Sequence, residues 1–108
     1  MKLPTEIFGQ VVVVHTPEEV SAEHTPQLVA FLTSHERANV VVDLDGTETI
    51  DSEGLTMLLE AQERLRLLQG DLRISASNPY NRKILEITRL DQSLEVFETV
   101  LDAVKSFA

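Results

Sequence analysis

The 108 residues carry 18 Asp and Glu against 9 Lys and Arg, a formal net charge of −9 at pH 7. Nucleic acid and anionic membrane surfaces call for a basic face that this balance withholds, so neither direct nucleic-acid binding nor membrane insertion is expected. There is no cysteine, hence no disulfide frame, thiol nucleophile or Cys-type zinc site, and no apolar run approaches the ~20 residues of a membrane span.

The first residues, Met1 to Glu6, lack the long apolar core of a signal peptide. A soluble cytoplasmic protein of one domain, residues 1–108, is the expectation. The acidity keeps such a domain in solution or steers it towards a basic patch on a protein partner.

In chain order, Glu6-Ile7-Phe8 reads as a short strand, and Gly9-Gln10 suits a two-residue hairpin turn with glycine first. Val11 to Val14 follow as a strand apolar on both faces, ended by Thr16-Pro17. Glu18 to Thr25 reads as a polar connection. Thr25 as N-cap with Pro26 at the first helical position fits better than a cap at Ser21, which would place the proline inside the helix. Leu28, Val29, Phe31 and Leu32 then form one apolar stripe, and the helix is expected to end near Arg37-Ala38-Asn39.

Val40-Val41-Val42 is a β-branched run suited to a strand buried on both faces. Asp43 to Thr49 turns acidic and polar, as a loop leaving a strand end. Asp51-Ser52 offers N-cap oxygens, and Leu55, Leu58, Leu59, Leu65 and Leu68 recur behind them at helical spacing. Gly70 is placed to close that helix in a left-handed conformation. Leu72, Ile74 and Ala76 alternate with Arg73, Ser75 and Ser77, a half-buried strand. Asn78-Pro79 opens a short helix carrying Ile84, Leu85 and Ile87. Leu90-Asp91 turns, and Leu94 to Phe97 reads as an edge strand. Thr99 with Asp102 is a capping-box variant before a last helix with Val100, Leu101, Val104 and Phe107 on one side. Strand–helix–strand crossovers imply parallel pairing, and the opening hairpin adds one antiparallel strand. The fold class is α/β: a mixed, mostly parallel sheet of four to five strands with helices packed on it.

Sites in open α/β sheets collect outside the carboxyl ends of the strands, which points to the strand-to-helix stretch whose exposed helix start carries Ser52, Glu53 and Gly54. Two families are similar to it. Asp43-Leu44-Asp45-Gly46-Thr47 behind three valines resembles the first motif of the haloacid-dehalogenase-like phosphatases. That resemblance implies Asp43 as nucleophile and Asp45 as general acid/base beside a magnesium ion. The chain departs from that pattern: two strands and a helix precede Asp43, Lys83 and Lys105 are the only later lysines, and no acidic pair follows a late strand. Val41-Val42-Asp43-Leu44 with Ile50-Asp51-Ser52-Glu53-Gly54-Leu55 resembles instead the STAS domain of anti-sigma-factor antagonists. Its typical form is strand-Asp-Leu and then Asp-Ser-Ser-Gly-Leu opening a helix. Asn78-Pro79 with Leu85 and Leu90 is similar to the family's closing pattern, so this resemblance covers nearly the whole chain.

The STAS resemblance implies a non-enzymatic regulatory protein without a cofactor, switching between protein partners. The partner it implies is an anti-sigma factor that is also a serine kinase; an accessory subunit of a transporter ATPase is the alternative. It implies partner-binding residues at Asp43, Asp51, Ser52, Glu53, Gly54 and Thr56, with Ser52 and Glu53 forming the phosphoacceptor region. Two departures stand out. The family's acceptor serine is replaced by Glu53, and Pro17-Glu18-Glu19-Val20-Ser21 lacks the Gly and Asp of the family's Gly-Glu-Leu-Asp segment. Glu53 reads either as a permanent stand-in for phosphoserine or as a first-turn acid favoured by the helix dipole. Thr56 reads as a packing or surface residue rather than an acceptor, and Ser52 has an alternative as an N-cap hydroxyl. Asp43, Asp45, Glu48 and Asp51 lack the spacing of a calcium loop and read as a solvated acidic loop. His15, His24 and His35 share no metal spacing and are assigned to the surface or to strand ends.

Overall fold

The structure, a computed structural model, describes residues 2–35 and 38–108. Its strands are β1 (Thr5–Phe8), β2 (Val11–His15), β3 (Glu19–Val20), β4 (Asn39–Asp43), β5 (Thr49–Ile50), β6 (Asp71–Ser75) and β7 (Val96–Phe97). The helices are α1 (Thr25–Leu32), α2 (Ser52–Leu67), α3 (Pro79–Ile87) and α4 (Val100–Lys105), with a 3-10 turn at Leu90–Gln92. Among the described residues the main sheet has the order β1-β2-β4-β6-β7, antiparallel at β1/β2 and parallel elsewhere. Gly9 supplies the positive φ of 61° that turns the opening hairpin.

Alternation along β2, β4 and β6 explains why the valine runs need no polar residue. Val12, Val14, Val40, Val42, Leu72 and Ile74 face α1, α2 and α3. Val11, Val13 and Val41 face the opposite side, where Ala103, Val100, Val104 and Phe107 cover them. Every residue from Val40 to Val42 is fully buried, as a central strand between two covered faces requires. Val40 to Asp43 thereby fixes where the next loop begins.

Several boundaries depart from the pattern read in the sequence. The stretch 18–25 is not a plain connection: Glu19-Val20 pairs in parallel with Thr49-Ile50 as a separate two-stranded ribbon. A two-residue strand is too short to show alternation, so its only trace is the lone apolar Val20. Helix α1 is capped at His24 rather than Thr25, whose hydroxyl turns back to the Ala22 carbonyl. It stops at Leu32, because the Thr33 hydroxyl bonds to the Val29 carbonyl and closes the last turn. Of the expected end near Arg37-Ala38-Asn39, Arg37 lies outside the described residues, and Asn39 already belongs to β4. The edge strand narrows to Val96-Phe97, while Leu94 is buried ahead of it.

The left-handed residue that ends α2 is Gln69, with φ 68°, and not Gly70. The Gly70 amide reaches the Leu65 carbonyl at 2.9 Å and the Gln69 amide reaches Arg66 at 3.1 Å, the paired bonds of a Schellman stop. Gly70 is required for another reason: a Cβ there would lie 2.0 Å from the Ala38 carbonyl oxygen. Leu68 therefore falls beyond the helix and is 58 % exposed, so the buried stripe is Leu55, Met57, Leu58, Ala61 and Leu65. Leu101 and Ile87 are likewise turned outward, their expected core places taken by Ala103 and Leu85.

Two substitutions test this arrangement in urea titrations. Leu58→Ala leaves a cavity under the centre of α2 and is expected to cost about 2–5 kcal/mol. Gln69→Gly removes left-handed strain and is expected to add about 1 kcal/mol.

Candidate functional site

The β4–β5 loop and the start of α2 leave the carboxyl end of the central strand. Their polar residues are ordered by bonds within the protein. The Asp43 carboxylate takes the Asp45 amide on one oxygen (3.0 Å) and the His15 ring on the other (2.7 Å). Asp45 accepts from the Ser77 amide (2.7 Å), the Ser77 hydroxyl (3.0 Å) and the Asn78 amide (3.3 Å), fastening this loop to the one after β6. Thr47 is buried, donating its hydroxyl to the Pro17 carbonyl and meeting that of Thr16. Buried Asn81 of α3 donates to the Leu44 and Thr47 carbonyls from the other side. The run Asp43-Leu44-Asp45-Gly46-Thr47 is thus explained by loop architecture, with the carboxylates of Asp43 and of the exposed Asp45 both bonded within the protein.

Helix α2 begins where this loop meets the β3/β5 ribbon. Asp51 is the N-cap, with extended φ −94° and ψ 179°, and its Oδ1 accepts from the Gly54 amide at 2.8 Å. Its Oδ2 accepts from the Ala22 amide at 3.1 Å, so one carboxylate serves the helix and the segment after β3 together. Ser52 is the first helical residue and not the cap. Its side chain and that of Glu53 are exposed, on the turn where the helix dipole is positive. Thr56 is exposed one turn later, with its hydroxyl returned to the Ser52 carbonyl.

Gly54 stands apart from its neighbours, because it is buried rather than part of the exposed turn. A Cβ would lie 2.9 Å from the Val20 carbonyl oxygen, Val20 Cγ1 and Ile50 Cγ1. The glycine lets the ribbon close onto the helix. Beside the exposed turn, a shallow groove of about 210 Å³ is lined by Ser52, Leu55, Thr56, Leu59, Thr88 and Leu90. The structure therefore brings Asp51, Ser52, Glu53 and Thr56 together on one surface. It draws Asp43 towards His15 at the strand end and puts Gly54 underneath. Thr16, Thr47, Asn81 and Val20, which hold this surface from below, were invisible as site residues; buried threonines and asparagine carry no periodic signal of their own.

Elsewhere on α2, Arg64 pairs with Glu60 one turn back at 3.1 Å, and Arg66 reaches Asp71 at the start of β6 at 3.0 Å. Among the described residues no His, Asp or Glu cluster offers three metal ligands, and no helix is long and apolar enough to cross a membrane.

A mostly parallel five-stranded sheet, flanked by helices on both faces and with an exposed helix start at its carboxyl end, defines a small open α/β sandwich rather than a barrel or bundle. The family model for the STAS domain matches residues 2–103, and the chain belongs to that family. An anti-sigma factor antagonist from Mycobacterium paratuberculosis is 25 % identical with a TM-score of 0.83, over 97 % of this chain and 92 % of that one. The Bacillus anti-sigma factor antagonist SpoIIAA in its unphosphorylated form is 16 % identical with a TM-score of 0.78, over 98 % and 96 %. A sulfate transporter family protein from Wolinella succinogenes is 18 % identical with a TM-score of 0.76, over 94 % and 87 %. No curated protein matches the chain. The phosphatase resemblance of residues 43–47 is local, set against a family match along nearly the entire sequence.

Gly54→Ala tests the junction. In an open helix this change is expected to stabilise by up to about 1 kcal/mol. Here the new methyl meets backbone, and a loss of about 1–3 kcal/mol in chemical denaturation is the expected result. A gain would place the ribbon clear of α2.

Proposed function

We propose that this chain is a non-enzymatic partner-switching module that binds an anti-sigma factor with serine-kinase activity through the first turn of α2. The observation that carries the reading is the exposed pair Ser52 and Glu53 on a buttressed helix start, beside an apolar groove. Such a ledge offers a protein partner an apolar seat with two carboxylates, Asp51 and Glu53, at its rim. Asp51, Ser52, Glu53 and Thr56 form the contact, while Asp43 and Gly54 shape it from beneath. The names of similar proteins support this family of partners.

In such a switch, phosphate at the second residue of the helix separates the partners by adding about −1.5 to −2 charges. Glu53 puts a fixed single charge at that position, so this chain rests towards the released state and its regulation does not depend on a hydroxyl at residue 53.

Titration calorimetry of the wild type and Glu53→Ser against an anti-sigma serine kinase from the same genome tests this. Removing the charge is expected to tighten binding at least tenfold, ~1.4 kcal/mol, and to create a site that ATP and the kinase phosphorylate. The wild type is expected to gain phosphate only at Ser52, if at all, as read by peptide mass mapping. Unchanged affinity with a lower melting temperature would show that Glu53 is only a dipole-favoured acid.

A further inference from the structure

His15, at the end of β2, stands between two carboxylates that belong to different strands. Its Nδ1 lies 2.7 Å from Asp43 Oδ2 on the central strand, and its Nε2 lies 2.7 Å from Glu6 Oε1 on the edge strand. Ionised carboxylates only accept hydrogen bonds, and a neutral imidazole has one donor nitrogen. Two such contacts at 2.7 Å therefore require both ring nitrogens to carry a proton. The arrangement is that of an imidazolium, and it is complete only in that state. We infer that His15 is a proton-operated latch: its imidazolium ties edge strand β1 to the end of β4, and loss of one proton frees Glu6 and loosens β1.

Glu6 is the partner released because its side chain is 55 % exposed, whereas that of Asp43 is 14 % exposed and also holds the Asp45 amide. The remaining proton stays on Nδ1 towards Asp43, and the lone pair of Nε2 then faces a carboxylate that repels it. All four residues of β1 are exposed and, among the described residues, no strand pairs with its outer edge; it is held by the pairing with β2, the bond from the His15 amide to the Pro4 carbonyl and the partly buried Leu3 just ahead of it. Among the described residues the charged groups acting on His15 are Glu6 and Asp43. Partial burial of the ring opposes its charge, but the hydrogen bonds and charges of Glu6 and Asp43 outweigh that effect and raise its pKa above the ordinary 6.5. A raised folded-state value means that the stabilisation is fully present below about 6.5 and is lost as pH climbs through the raised value. The latch is closed in mild acid and opens towards alkaline pH.

Imidazole nitrogen NMR across pH 5.5–9, with amide exchange of β1 corrected for its intrinsic pH dependence, tests the latch. The expected result is a His15 titration above 6.5, with protection of the paired β1 amides falling roughly threefold to tenfold, on the order of one largely exposed ion pair, at the same midpoint. Glu6→Gln, an exposed change that leaves the fold intact, is expected to lower the midpoint and remove the step, since the Gln amide can donate to a neutral Nε2. His15→Gln is expected to give low, pH-independent β1 protection. A His15 titration at or below 6.5, or a β1 step that survives in Glu6→Gln, would overturn the proposal.

Discussion

The surface of this protein depends on one carboxylate. Asp51 caps α2 through Oδ1 and holds the Ala22 amide through Oδ2, while its own amide donates to Val20. Two parts of the chain 29 residues apart meet there: the residues after β3 and the junction of β5 with the first turn of α2. A serine or threonine cap would satisfy the helix but, with a single side-chain oxygen, could not also serve Ala22 in this geometry. Gly54 completes the junction by leaving room for Val20 and Ile50 against the helix. With the backbone fixed from below, Ser52 and Glu53 have nowhere to point but outward.

The same economy runs through the strand ends. Asp43 and Asp45 look in sequence like a pair of catalytic acids, yet each is occupied in holding a neighbouring segment. Thr47 and Asn81 lock the intervening backbone. Exposed side chains at this carboxyl end include Asp45, Glu48 and Thr49 on the loop and Asp51, Ser52, Glu53 and Thr56 at the start of α2.

The fold was legible wherever burial imposes a period. Val11–Val14 and Val40–Val42 could only be strands between covered faces, and Asn78-Pro79 and the Thr99/Asp102 pair marked helix starts that the structure contains. The start of α2 was legible, because Asp51-Ser52 before an apolar stripe has a local meaning. What escaped depends on contacts far apart in the chain. The two-residue ribbon β3/β5 has no periodicity to detect. Gly54 was read as a partner-binding residue and Gly70 as a helix stop, but one accommodates Val20 and the other the Ala38 carbonyl, and neither neighbour is near in sequence. His15 was assigned to a strand end without its two carboxylate partners, which lie 9 and 28 residues away.

The central claim is that the Asp51 carboxylate joins the helix start to the segment after β3, and site-resolved amide exchange measures it directly. Asp51→Asn keeps an oxygen for the Gly54 amide but turns a nitrogen that cannot accept towards Ala22; Asp51→Ala removes both acceptors. The account predicts that the Gly54 amide stays protected and that of Ala22 loses protection in Asp51→Asn, and that both lose it in Asp51→Ala. Ala22 protection unchanged in Asp51→Asn would contradict it, leaving α2 with an ordinary cap and its first turn without the support described.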